Sequence, residues 1–190
     1  MVGSVAAVEA RRPNMLGVGM VVWLSSELMF FSGLFAAWFA LRGINDPWPP
    51  DGVGPAIGRT AIATGVLVAS SFTLHAGERA AHNGDRRAVV RWVLLTAALG
   101  ATFLGNQALE YAELDFSISS HAYGSMFYVL TGFHGLHVLG RIVLMLAVLG
   151  VGTGRTSRAP LGEALTVTAY YWHFVDVVWV AMFATIYLLS

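Results

Sequence analysis

Seven side chains stand out against their surroundings. Glu27, Glu110, His134, His137, Arg141, His173 and Asp176 each lie within or at the end of a long apolar run. A carboxylate or guanidinium at the centre of a bilayer costs at least ~2.5–3.5 kcal/mol unless it is paired or hydrated. Each must therefore be compensated by another such group or take part in moving protons. His134, His137 and Arg141 stand at i, i+3 and i+7, which lines them along one helical face with Gly132, Gly135 and Gly140 beside them for close approach of a neighbouring helix. His173 and Asp176 are also one turn apart, and Asp176 shares its face with Trp172 and Trp179. The simplest arrangement is an interior polar layer in which Arg141 or a histidine compensates Asp176 or Glu27.

Each residue also has a plainer reading. A buried Glu27 is either a satisfied hydrogen-bonding group or a proton carrier. His134 and His137 have the spacing of two metal ligands, but a catalytic metal site needs a third ligand and an open position, which nothing nearby specifies. Haem ligation by two histidines joins ligands from different helices, and this spacing does not announce it. His75, His82 and His121 lie near loops and should face solvent or the interface. Met15, Met20, Met29, Phe30 and Phe31 are expected to be packing residues.

These readings depend on the elements that carry the residues. The 190 residues hold eleven arginines against eleven acidic groups and no lysine, giving zero net charge, with 12% charged and 56% hydrophobic residues. Mean hydropathy is +0.66. A nucleic-acid binder needs surplus positive charge and a disordered chain needs low hydrophobicity, so both classes are excluded. A soluble domain carries about a quarter of its residues as charges, twice the share seen here. Cysteine is absent, which excludes disulfides, iron–sulfur clusters, covalent c-type haem attachment and thiolate metal centres in this chain.

Apolar runs of about 20 residues, long enough for ~30 Å of hydrocarbon, occur five times. They lie near residues 15–41, 57–76, 89–109, 122–150 and 164–189. The first is too long for a signal-peptide core and contains Glu27, so it reads as a retained span. The expected fold is all-α, a single integral membrane bundle of five transmembrane helices over residues 15–190 behind a 1–14 tail. Asn45 to Gly52 is proline-rich and breaks the helix, His82 to Arg87 reads as a short polar turn, and Gly152 to Pro160 as a connector. Arg11, Arg12, Arg79, Arg86, Arg87, Arg91, Arg155 and Arg158 fall on one side, with only Arg42 and Arg59 on the other. The positive-inside rule then puts the N-terminus and its tail in the cytoplasm and the C-terminus outside. Glu110 sits near the outer end of the third span. Trp48, Trp92 and Tyr111 fall at span ends, and Trp23, Trp38, Trp172 and Trp179 fall deeper, where packing between helices is expected.

Four segments carry a resemblance. Trp23-Leu24-Ser25-Ser26-Glu27-Leu28-Met29-Phe30-Phe31, Gly124-Ser125-Met126-Phe127-Tyr128, Thr131-Gly132-Phe133-His134-Gly135-Leu136-His137-Val138 and Tyr171-Trp172-His173-Phe174-Val175-Asp176-Val177-Val178-Trp179 resemble, in order and in span placement, the signature segments of subunit III of the haem–copper oxidases. The likeness covers Pro13 to Leu189. Arg12-Pro13-Asn14-Met15 is similar to the actinobacterial branch of the aa3-type cytochrome c oxidases.

The resemblance implies a noncatalytic subunit of a proton-pumping terminal oxidase that reduces O2 to water in aerobic respiration, set in the bacterial plasma membrane. The chain would itself carry no cofactor and no metal: haem and copper reside in partner subunits I and II. Further implied partners are membrane phospholipid and a cytochrome bc complex in a respiratory supercomplex, and nucleic acid is not among them. The family's mid-membrane carboxylate maps to Glu27, its paired histidines to His134 and His137, its Trp-His-Phe-x-Asp pair to His173 and Asp176, and its Glu-Tyr to Glu110 and Tyr111. Many members have seven helices, the first two forming a lipid-filled cleft with the rest. This chain begins at the equivalent of the third. A quinol-oxidising relative, an independent proton or ion carrier and a separate b-type cytochrome are the competing readings.

Overall fold

The structure, a computed structural model, describes residues 15–54, 56–153 and 161–189. The expected tail with Arg11 and Arg12, and the connector residues 154–160 with Arg155 and Arg158, lie outside the described residues. Five helices follow one another: α1 Met15–Arg42, α2 Ile57–His82, α3 Arg86–Glu113, α4 Ala122–Thr153 and α5 Leu161–Phe183, the last continued by a π-helical turn at Ala184–Leu188. Each of the five is long and apolar enough to cross a membrane. Hydrocarbon offers no partner for backbone N–H and C=O groups, so a lipid-facing chain must satisfy them internally, and the helix does so within one segment.

The spans are longer than their apolar runs. α2 continues past Ala76 to His82, because Gly-Glu-Arg-Ala-Ala-His adds mostly good helix formers and its charged side chains can reach the interface. α3 begins at Arg86 and runs to Glu113, which leaves only Asn83 to Asp85 as the turn and puts Glu110 inside the helix. Gly84 takes φ +75, a conformation glycine adopts without strain. Asp85 then caps α3, its Oδ1 accepting from the Ala88 N–H at 3.0 Å. At the start of α4, His121 Nδ1 accepts from the Gly124 N–H at 2.8 Å and its ring packs on Phe116, so this histidine is half-buried in a structural cap.

α2 packs on α3, α3 on α4, α4 on α5, and α5 returns to α2, closing a four-helix ring. α1 lies outside this ring, against α4 and α5. Its outer face is therefore bare. Val21 is 64% exposed and Met29 76%, so Met29 is not the packing residue its sequence position suggested, while Trp23, 55% exposed, meets α5 through an edge-on contact with Tyr171 at 6.5 Å. An apolar side chain facing lipid gains little by turning inward, which is why hydrophobicity alone did not separate the two faces. Phe31, Trp38, Trp172 and Trp179 do pack between helices, none more than 1% exposed. Trp48, from the proline-rich loop, joins Trp38 and Tyr123 in a mutual ring cluster with centroids 5.0–5.3 Å apart.

Gly100 marks a tight crossing in the ring. A Cβ there would stand 3.1 Å from Ile142 Cδ1 and 3.2 Å from the rim of the Trp172 ring, whereas one at Gly105 would meet nothing within 4 Å. Gly100→Val should therefore cost about 1–3 kcal/mol of overpacking strain. Thermal denaturation in detergent should show a lower Tm for Gly100→Val and no loss for Gly105→Val.

Candidate functional site

The midpoints of α1, α2, α4 and α5 bring Glu27, Ser70, Ser71, His137, His173 and Asp176 to about one depth. Arg141 reaches this layer from one turn along α4. With lipid outside and apolar side chains within, polar groups here find partners only in one another.

The core of the layer is Arg141 and Asp176. Arg141, 0% exposed, donates through one terminal nitrogen to Asp176 Oδ1 at 2.6 Å and to the Trp172 carbonyl at 2.9 Å. Its guanidinium carbon lies 4.0 Å from the centre of the Trp172 ring, an added cation–π contact. The other carboxylate oxygen of Asp176 accepts the Ser71 hydroxyl. Trp172 Nε1 donates to Ser70 Oγ at 3.1 Å, and Trp179 Nε1 to Thr64 Oγ1 at 2.9 Å. Three hydroxyls on α2 thus stitch it to α5. Thr73 and Thr96, 2.8 Å apart, do the same between α2 and α3.

The second pair is Glu27 and His137. His137 Nδ1 is 2.6 Å from the Phe133 carbonyl, which can only accept, so Nδ1 carries hydrogen and donates. Its Nε2 lies 2.8 Å from Glu27 Oε2. One proton occupies that contact: either an imidazolium faces a carboxylate, or a neutral ring accepts from a protonated Glu27. Both states sum to zero charge. The pair holds α1 to α4, with Phe31 packing edge-on to the His137 ring at 5.1 Å.

The expected histidine–arginine face of α4 therefore divides by partner rather than forming one surface. His137 turns outward to α1 and Arg141 turns to α5. His134, 0% exposed, is wedged between Phe103 at 5.9 Å and Trp179 at 4.8 Å, and neither of its ring nitrogens has a hydrogen-bond partner among the described residues. It lies within the aromatic core and does not converge with His137 on a common point. Among the described residues no group of three or more His, Cys, Asp or Glu side chains is placed to hold a metal ion.

Glu110 belongs to a separate cluster. It is 1% exposed and accepts hydrogen bonds from Thr60, Gln107 and Tyr187, the last at 3.0 and 3.2 Å. Arg59 pairs nearby with Glu113 at 2.8 Å. α2, α3 and the π-helical turn are joined through this one carboxylate. Tyr111, next to Glu110, is instead 2.6 Å from Thr131 on α4. Thr60, Ser70, Ser71, Gln107 and Tyr187 were not singled out by sequence, because uncharged polar residues are common in spans. The adjacent mid-span hydroxyls Ser70 and Ser71 were the available signal.

Two outcomes follow for the secondary pairs. Glu27→Leu should leave His137 Nε2 unpartnered and raise hydrogen–deuterium exchange along α1, while Glu27→Gln, which keeps a hydrogen-bonding group, should stay near wild type. Tyr187→Phe should lower stability by about 1–3 kcal/mol, the cost of a buried carboxylate losing one of its three donors, as read by thermal denaturation.

Comparison with known proteins adds an independent line. The family model described as Cytochrome c oxidase subunit III matches residues 9–190. A protein of Nocardia farcinica named probable cytochrome c oxidase subunit 3 is 48% identical over 181 residues, spanning 93% of this chain and 89% of its own. One of the same name from Mycobacterium tuberculosis is likewise 48% identical over 181 residues, with 93% and 89% covered. The cytochrome c oxidase subunit 3 of Thermostichus vulcanus is 39% identical over 183 residues, spanning 94% of this chain and 89% of its own.

Proposed function

Since this chain belongs to the cytochrome c oxidase subunit III family, we propose that it is the noncatalytic third subunit of an aa3-type oxidase in a bacterial plasma membrane. It packs beside the catalytic subunit, sustains proton uptake into it and protects its active site from inactivation during turnover. Haem and copper are carried by subunits I and II, and cytochrome c supplies the electrons, in keeping with the names of the relatives. The N-terminus faces the cytoplasm and the C-terminus the outside, in keeping with the arginine distribution and the positive-inside rule.

The observation that carries this reading is how the midplane charges are spent. Arg141 is paired, through one terminal nitrogen, with Asp176 and the Trp172 carbonyl, and Glu27 is paired with His137. Charges paired across helices in this way hold the helices in register. An independent carrier would instead need a binding group that opens alternately to the two sides, and repeated or broken helices of the kind carriers use. The comparisons likewise favour neither a carrier nor a separate b-type cytochrome.

A chain that only braces its neighbour should leave the chemistry of the first turnovers intact. Protection appears as lifetime. Glu27, Arg141, His173 and Asp176 act here by position, fixing the face that meets the catalytic subunit. Phospholipid along the bare face of α1 and a cytochrome bc complex in a larger assembly complete the proposed surroundings.

Deletion of the gene, followed by purification of the remaining oxidase, tests the proposal. Initial O2 reduction should stay near wild type, while proton uptake slows and activity decays over successive turnovers. Restoring the chain should restore the lifetime. Unchanged proton uptake and an undiminished lifetime in its absence would overturn it.

A further inference from the structure

The ring has two midplane histidines that point outward, and the described residues of the chain cover only one. His137 on α4 meets Glu27 of α1, the helix laid against the α4 and α5 edge. His173 on α5 faces out along the adjacent edge, between α5 and α2, where no helix among the described residues lies.

The hydrogen-bond geometry fixes what His173 offers. Ser71 donates its hydroxyl hydrogen to Asp176, a carboxylate already accepting from Arg141 on its other oxygen. With that hydrogen committed, the 3.2 Å contact between Ser71 Oγ and His173 Nδ1 requires Nδ1–H to donate. In the neutral ring the other nitrogen, Nε2, is then an acceptor with a lone pair. It opens on a groove of 520 Å3 lined by Val68, Ser71, Val177, Val180 and Ala184 among others. Val177 is 68% exposed and Val180 48%. Lipid tails have no donor, and an acceptor left bare at this depth is costly. The small side chains of Ser71, Ala181 and Ala184 allow a helix backbone to come close.

We propose that the groove between α2 and α5 seats a transmembrane helix of another oxidase subunit, one that presents a hydrogen-bond donor to His173 at the bilayer midplane. The occupant is a helix rather than a lipid for the same reason that α1 lies where it does. On the neighbouring edge an outward histidine is met by a polar side chain delivered from an outside helix, and His173 repeats that arrangement with the acceptor in place of the shared proton. Ser, Thr, Asn, Gln, Tyr or Trp on the partner would satisfy it. The inference rests on the reading of this chain as one subunit of a larger oxidase.

The test is photo-crosslinking in the assembled oxidase in native membranes, with benzoylphenylalanine placed at Val177 or at Val180. Illumination should join this chain to a transmembrane segment of a different subunit, with one of those donor residues beside the crosslinked position. His173→Phe, which keeps a ring but removes the acceptor, should lower the yield about five-fold, in line with one midplane hydrogen bond, and His173→Gln should restore most of it. Adducts with lipid alone, adducts with a second copy of this chain, or an unchanged yield in His173→Phe would each overturn the proposal. Lipid-only adducts in an oxidase that still contains subunits I and II would defeat the groove and leave the subunit's protective role standing, since that role is read from turnover lifetime.

Discussion

The structure depends on one exclusion: hydrocarbon offers no hydrogen-bond partner, so the charged groups at the midplane are paired with one another across helices. Burying apolar surface gains little when the outside is also apolar, and helices associate instead through close packing and the hydrogen bonds that lipid cannot supply. Arg141 and Asp176 are the extreme case. Separately each would be an uncompensated charge in the core, and together they bind α4 to α5 while Ser71 extends the contact to α2. The glycine at position 100 lets Trp172, the ring under the Arg141 guanidinium, sit against α3. Charge compensation and steric fit meet at one crossing.

From that core the rest is graded by distance. The ring α2–α3–α4–α5 is closed by polar stitches on successive edges, and α1 is an added helix held by Glu27 and by aromatic contacts. The same physics gives the chain an inside and several outsides. α1 is bare on its far face, and the α2 and α5 edge carries an outward imidazole. A subunit made to work within a larger assembly should have such surfaces, whereas a self-contained carrier would be expected to enclose its ionisable groups around a path of its own. The Glu110 cluster repeats the principle near the end of the bundle, where one carboxylate gathers donors from α2, α3 and the final turn.

Much of this was legible in the sequence. Five apolar runs gave five helices, and the charges within them gave the polar layer, because both follow from length and from the cost of charge in lipid. The pairing did not follow. Arg141 could have met Glu27 and His137 could have met Asp176, and only the lateral order of helices decides between them. Met29 was misplaced for a related reason: in a membrane, the hydrophobic pattern does not distinguish a face against lipid from a face against protein. The ends of α2 and α3 were drawn short because hydropathy fades before helix propensity does; Glu110 lies in the last turn of α3. Ser71 escaped notice because its importance comes from Asp176, more than a hundred residues away in sequence.

The central claim is that Arg141 and Asp176 hold the bundle as a mutually neutralised pair. A double-mutant cycle on the detergent-solubilised protein tests it most directly, with Arg141→Met, Asp176→Leu and the two combined, compared by thermal denaturation. Each single change strands a buried charge and should cost about 3–5 kcal/mol, while the double variant, which strands none, should recover most of that loss. A double variant as destabilised as the sum of the two single variants would contradict the account.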